Sequence, residues 1–218
     1  MTMKQETIEL IENVAQVVVL FVCTLFSLYR AAKEMSRSWT MLTFFYGSYL
    51  LGDLYWQVCL LFYEESPQIS VVSDLSWYAQ YIFMCLLIKH KTISLEQFPK
   101  SELKRVRYLI PYLGPFCSAG FAVFYMQHGE ILSNIIYAVI LGLLTFTALC
   151  GIFRTKEPGK HRLLFILVIV LYTINHALWT SSCFWNNEIC RYAYYIFDIL
   201  MTICSLLFLP VMQREEKK

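Results

Sequence analysis

Charge is scarce in this chain: 16% of its 218 residues are Asp, Glu, Lys or Arg, against about 25% in soluble domains. That shortage excludes a disordered chain, a collagen-like fibre and a basic nucleic-acid binder. It also leaves too few ionic groups to keep the surface of an ordinary globule wet. Catalytic signatures are missing too. There is no H-E-x-x-H, G-x-S-x-G or P-loop run, no glycine pattern for a phosphate, and no kinase or cyclase domain. Cys-x-x-Cys and Cys/His spacings for zinc are absent, and no metal or other cofactor is expected. The last apolar span has no lysine, which excludes a retinal Schiff base.

Long apolar runs are abundant. Apolar residues make up 58% of the chain and the mean hydropathy is +0.52. A bilayer core needs about 20 mostly apolar residues to be crossed by a helix. Seven windows qualify: 10–29, 38–63, 71–88, 108–126, 131–153, 163–185 and 192–212. The runs are continuous, unlike the alternating segments of about 10 residues in a membrane barrel. The expected fold is therefore all-α, a polytopic bundle of seven transmembrane helices forming one domain over 1–218.

The basic residues set the orientation. One side carries Arg30, Lys33, Arg37, Lys89, Lys91, Lys100, Lys104, Arg105, Arg107, Arg154, Lys156, Lys160, Arg162, Arg214, Lys217 and Lys218; the other carries only Lys4 and Arg191. This puts the N-terminus outside and the C-terminus in the cytoplasm, in the cell membrane (the cytoplasmic membrane if the source is bacterial). The lead-in to the first span is acidic, with Glu6, Glu9 and Glu12, and no small-x-small site closes the span. It is expected to stay as a signal-anchor helix. The basic stretch 89–107 faces the cytoplasm and serves either topology alone or contact with anionic headgroups or a partner.

Cys183 and Cys190 flank the last external loop and are a candidate disulfide; free thiols are the alternative. Two helices share a pattern. Tyr49, Asp53 and Trp56 have the spacing of Tyr172, His176 and Trp179, and Tyr78-Ala79-Gln80-Tyr81-Ile82-Phe83 parallels Tyr192-Ala193-Tyr194-Tyr195-Ile196-Phe197. Segments 10–88 and 131–212 thus read as a parallel 3+1+3 repeat, with the fourth span as linker. Pro111, Gly114, Pro115 and Gly120 predict a kink in that linker.

Ionisable groups inside a bilayer are costly and tend to face a bundle interior or a wet cavity. Asp53, His176 and Asp198 fall near the midplane. The repeat would let Asp53 and His176 face each other in a site lined by Tyr49, Trp56, Tyr172, Asn175 and Trp179. Aromatic walls with carboxylates suit a flat or cationic ligand. The competing reading is interhelical hydrogen bonding that only specifies packing. Asp74, followed on its face by Tyr78 and Tyr81, reads either as a gate at the outer mouth or as an N-terminal acid favoured by the helix dipole. Trp39, Trp77 and Trp185 near span ends fit an interfacial belt.

Leu51-Gly52-Asp53-Leu54-Tyr55-Trp56 followed by Ser73-Asp74-Leu75-Ser76-Trp77-Tyr78-Ala79-Gln80-Tyr81 resembles uncharacterised bacterial seven-helix integral membrane proteins and the membrane sensory regions of some bacterial signalling proteins. That resemblance implies ligand sensing. Gly52-Asp53 in an early helix is also similar to the lysoplasmalogenase-like membrane hydrolases, although the later Ser-Asp motif of that family has no match. Three functions follow as expectations. The first is a small-ligand sensor acting through a cytoplasmic or membrane signalling partner. The second is a small-solute transporter, with Asp53 and His176 binding solute or a proton. The third is an intramembrane lipid hydrolase, with Asp53 and Asp198 activating water and His176 as base.

Overall fold

The computed structural model describes residues 3–63, 71–99, 101–102, 104–129, 131–157 and 159–216, with side chains from residue 10 onward except Tyr63 and Val71. The predicted external link 64–70, together with Lys100, Lys217, Lys218 and the side chains of Lys4, Glu6 and Glu9, lies outside what is described.

Seven helical rods form among the described residues. They are α1 (Met3–Glu34), α2 (Arg37–Tyr63), α3 (Val71–Ile93), α4 (Arg105–Tyr125), α5 (Ile131–Phe153), α6 (Arg162–Cys183) and α7 (Glu188–Glu216). Helices dominate because each peptide group then finds its partner within its own segment, which lipid demands. The only β pairing among the described residues is a single Gln97–Thr155 bridge.

Local chemistry sets the ends. Met35, at φ 51°, takes the left-handed position that closes α1. Ser36 then caps α2, its Oγ accepting from the Trp39 N–H at 3.4 Å. Asn187 caps α7, its Oδ1 accepting from the Ile189 N–H at 2.9 Å. In α4, Pro111 has no N–H to donate, and Ile110–Tyr112 tightens into a 3-10 turn, which is the predicted irregularity.

Five rods are long and apolar enough to cross a membrane: α1 from Leu10, α4, α5, α6 and α7. The chain is thus a helical, multi-pass membrane protein. α2 and α3 are not among these five, yet their exposed faces are apolar: Phe44, Leu51, Leu54, Val58 and Leu61 on α2, and Val72, Leu75, Ile82 and Leu86 on α3. Their polar residues, including Tyr49, Asp53, Gln57, Ser76 and Gln80, are buried. Lipid solvates the outside of such a helix and protein its polar stripe.

The rods pack in a closed order: α1 on α2, α2 on α3, α3 on α5, α5 on α6, α6 on α7, and α7 back on α1. α4 sits on α5 and touches α6. Gly114 permits the α4–α5 approach, since a Cβ there would lie 2.9 Å from the Thr145 Cβ and 3.0 Å from the Phe146 backbone nitrogen. Beside this contact, the Arg154 guanidinium lies 4.6 Å from the Tyr108 ring centre and donates to the Tyr108 carbonyl at 2.6 Å.

The end that carries the basic residues is tied together. Lys91 pairs with Glu216 at 2.8 Å, His161 with Glu215, and Lys156 with Glu96 at 2.6 Å. Deeper, Phe45, Tyr46, Met84, Phe165 and Phe208 form the core. One expectation is corrected there: Trp39 is not an interfacial residue. It is fully buried, packed edge-on to Phe26 with Arg30 over its ring.

Candidate functional site

The expected midplane site resolves into two separate clusters. The first lies among α1, α2, α3 and α7. Gln16 donates from Nε2 to the Tyr49 hydroxyl at 2.8 Å and to Asp198 Oδ1 at 3.1 Å. Glu12 of α1, one turn before Gln16, lies beside Asp198. The Trp77 indole N–H donates to Asp53 Oδ1 at 3.0 Å, and Trp77 packs on Trp56 with ring centres 5.9 Å apart. Asp53 Oδ2 and both amide atoms of Gln57, one turn along the same face, are buried without a hydrogen-bonding partner. Asp53 lies within electrostatic range of Asp198.

The second cluster is a cavity of about 240 Å³. It lies between the start of α3, the end of α4, the start of α5 and the end of α6. Asp74 comes from α3. Ser118, Ala122 and Tyr125 come from α4, and His128 from the turn that follows it. Ser133, Asn134, Tyr137, Ala138 and Leu141 come from α5. Asn175, His176, Trp179, Ser182 and Cys183 come from α6. The His176 ring stacks on Phe121 at 4.1 Å and meets Tyr172 edge-on at 4.5 Å. The Tyr125 hydroxyl donates to the His176 carbonyl at 2.9 Å and lies 3.3 Å from its Nδ1. His176 Nε2 and Asn175 Nδ2, both in side chains of the cavity wall, have no hydrogen-bonding partner.

Asp74, Asn175, His176 and Trp179 of the expected residues therefore line the cavity. Tyr78, Tyr81 and Tyr172 hold its wall from behind. Tyr78 donates to Ser133 Oγ at 2.6 Å, Tyr81 donates to Asn175 Oδ1 at 2.7 Å, and Tyr172 pairs with Ser118 at 3.1 Å. Asp53, Asp198, Tyr49 and Trp56 belong to the other cluster. The expected facing of Asp53 and His176 is not formed, because α4 supplies the aromatic partners of His176 while Trp77 and Asp198 are the neighbours of Asp53. Tyr81 joins the two clusters: it stands one turn after Trp77 on α3 and donates to Asn175 of α6.

Reading α4 as a mere linker hid its contribution. The signal was present as the stripe Gly114, Ser118, Ala122 and Tyr125, all on one helix face and all buried. The eight cysteines are free thiols, Cys183 and Cys190 included, so the candidate disulfide is not formed. Among the described residues no group of three or more His, Cys, Asp or Glu is arranged to hold a metal ion.

No protein-family model matches the chain, and comparison with curated proteins and with solved structures gives no match. Fold and site define a helical membrane protein with a polar, aromatic cavity at one end of its bundle.

Proposed function

We propose that the chain is a seven-span protein of the cell membrane, with its N-terminus outside and its C-terminus in the cytoplasm. It binds a small molecule in the cavity and passes occupancy to a signalling partner in the membrane or at the cytoplasmic face. The observation that carries this reading is the cavity itself: about 240 Å³, or about eight water volumes. It is bounded by four helices whose cavity ends all fall on the side poor in basic residues. Hollows with a few convergent polar groups among aromatic walls are where small ligands bind. The apolar outward faces of α2 and α3 support counting them as spans.

A transport reading draws support from the order of packing. If α1, α2 and α3 correspond to α5, α6 and α7, the α3–α5 contact maps onto the α7–α1 contact. That is the relation expected of two parallel halves joined by α4. The hydrolase expectation has no such support, since His176 is held apart from both Asp53 and Asp198.

The test uses purified protein in lipid nanodiscs, with thermal unfolding followed by tryptophan fluorescence against small phenyl-bearing amines, alcohols and acids. At least one probe raises the unfolding temperature of the wild type and not of Ala138→Phe, which fills the cavity. Equal protection of both proteins would place binding elsewhere. Uptake of the same probe into proteoliposomes separates the two readings: accumulation means carrier, and binding without accumulation means sensor.

A further inference from the structure

The cavity wall has an uneven chemistry. Among the described residues it contains one carboxylate, Asp74, and no lysine or arginine. Three electron-rich rings, Tyr125, Tyr137 and Trp179, line the same cavity. Tyr137 shares the cavity wall with Asp74, and its ring lies 6.0 Å from that of Trp179. Asp74 is in the first turn of α3. Around that mouth Ser133 and Asn134 offer oxygen acceptors. Deeper, Leu141 and Ala122 give an apolar floor beside His176. A cation entering from the carboxylate end would meet the faces of aromatic rings, whose quadrupoles attract it, before any positive side chain. An anion would meet a carboxylate and aromatic faces, both of which repel it.

We propose that this cavity takes a small organic ammonium ion with an apolar body. Asp74 is its counter-ion, Tyr137 and Trp179 flank the ammonium, and the apolar part reaches towards Leu141. The inference rests on the cavity being the ligand site and adds the class of ligand. The charge sits in the first turn of α3, where Asp74 is half-buried, so the ammonium need not be fully desolvated. The body fills a space of about 240 Å³, which limits it to a single small ring or a short chain.

Three near-isosteres decide the matter: phenethylammonium, 2-phenylethanol and phenylacetate, titrated calorimetrically into the full chain in nanodiscs of neutral phosphatidylcholine. Phenethylammonium binds about tenfold tighter than 2-phenylethanol, the scale of one partly desolvated cation–π contact with its counter-ion, and phenylacetate binds weakest. Asp74→Asn removes that preference and leaves the affinity for the alcohol within about twofold. Trp179→Leu weakens the ammonium more than the alcohol and serves as second variant if Asp74→Asn does not fold. Equal binding of alcohol and ammonium, or a preference that survives Asp74→Asn, overturns the ammonium assignment while leaving the cavity as a ligand site. Absence of binding by all three probes overturns both.

Discussion

Gly52 and Asp53 show how single positions decide the acid cluster. A Cβ on Gly52 would lie 2.6 Å from the Trp77 indole nitrogen, the atom that donates to Asp53. Gly52→Ala must therefore push the indole away and leave Asp53 with neither oxygen paired. The expected cost is about 1–3 kcal/mol, that of a buried polar group losing its partner. Thermal unfolding in nanodiscs measures it, with Gly120→Ala as control because a Cβ there meets nothing within 4 Å. A Gly52→Ala protein as stable as the control would mean that the Trp77–Asp53 bond contributes nothing. Tyr81→Phe cuts the bond that joins the two clusters. Interhelical hydrogen bonds in membranes average about 0.6 kcal/mol, so the stability loss should be small. Binding of any cavity ligand should fall more, because Asn175 loses the hydroxyl that orients its amide.

At the scale of the helix, the last turn of α7 offers a titration outside the membrane. Burial alone would raise Glu216, but the hydrogen bond and charge of Lys91, with further bonds from Ser38 and Ser36, hold its carboxyl below the ordinary 4.5. A carboxylate whose folded value is depressed stabilises the fold above its unfolded value. That stability fades as pH falls through the folded value. Wild type should thus exceed Glu216→Gln in unfolding temperature at pH 7, and the difference should shrink as pH falls below 4.5 and through the depressed folded value. A gap that does not shrink at all on acidification would show that the contact acts without its charge.

The elements also show what was legible in the chain. Apolar runs of membrane length marked α1, α5, α6 and α7 well, because lipid imposes that length whatever the packing. The window 38–63 marked α2 in the same way, and of the pattern read along it, Tyr49 and Asp53 are buried. Which cluster each polar residue joins was not legible. That depends on the neighbours of each helix: the stripe Gly114, Ser118, Ala122 and Tyr125 marked a buried face of α4, but not that α6 and His176 would be among the neighbours of that helix. Trp39 was misplaced for a related reason. Nearness to a span end says nothing about whether a ring turns towards headgroups or, as here, into the core beside Phe26.

For the whole molecule, orientation and cavity can be tested together. The proposed topology opens the cavity outward, and Cys183, a free thiol, is the cysteine in its wall. A membrane-impermeant methanethiosulfonate bearing a trimethylammonium group, applied outside intact cells, should modify Cys183. Mass spectrometry of the purified protein locates the adduct, and Cys183→Ser gives the background from the exposed Cys117. The same reagent applied to inverted vesicles should leave Cys183 unmodified. The matching sulfonate reagent should react more slowly from outside, because its negative charge must pass Asp74 in a medium where the Coulomb term is weakly screened. Phenethylammonium should slow the modification if it occupies the cavity. Modification from the inner side alone would reverse the orientation drawn from the sixteen basic residues against two. Equal rates for cation and anion would show that Asp74 does not control what enters.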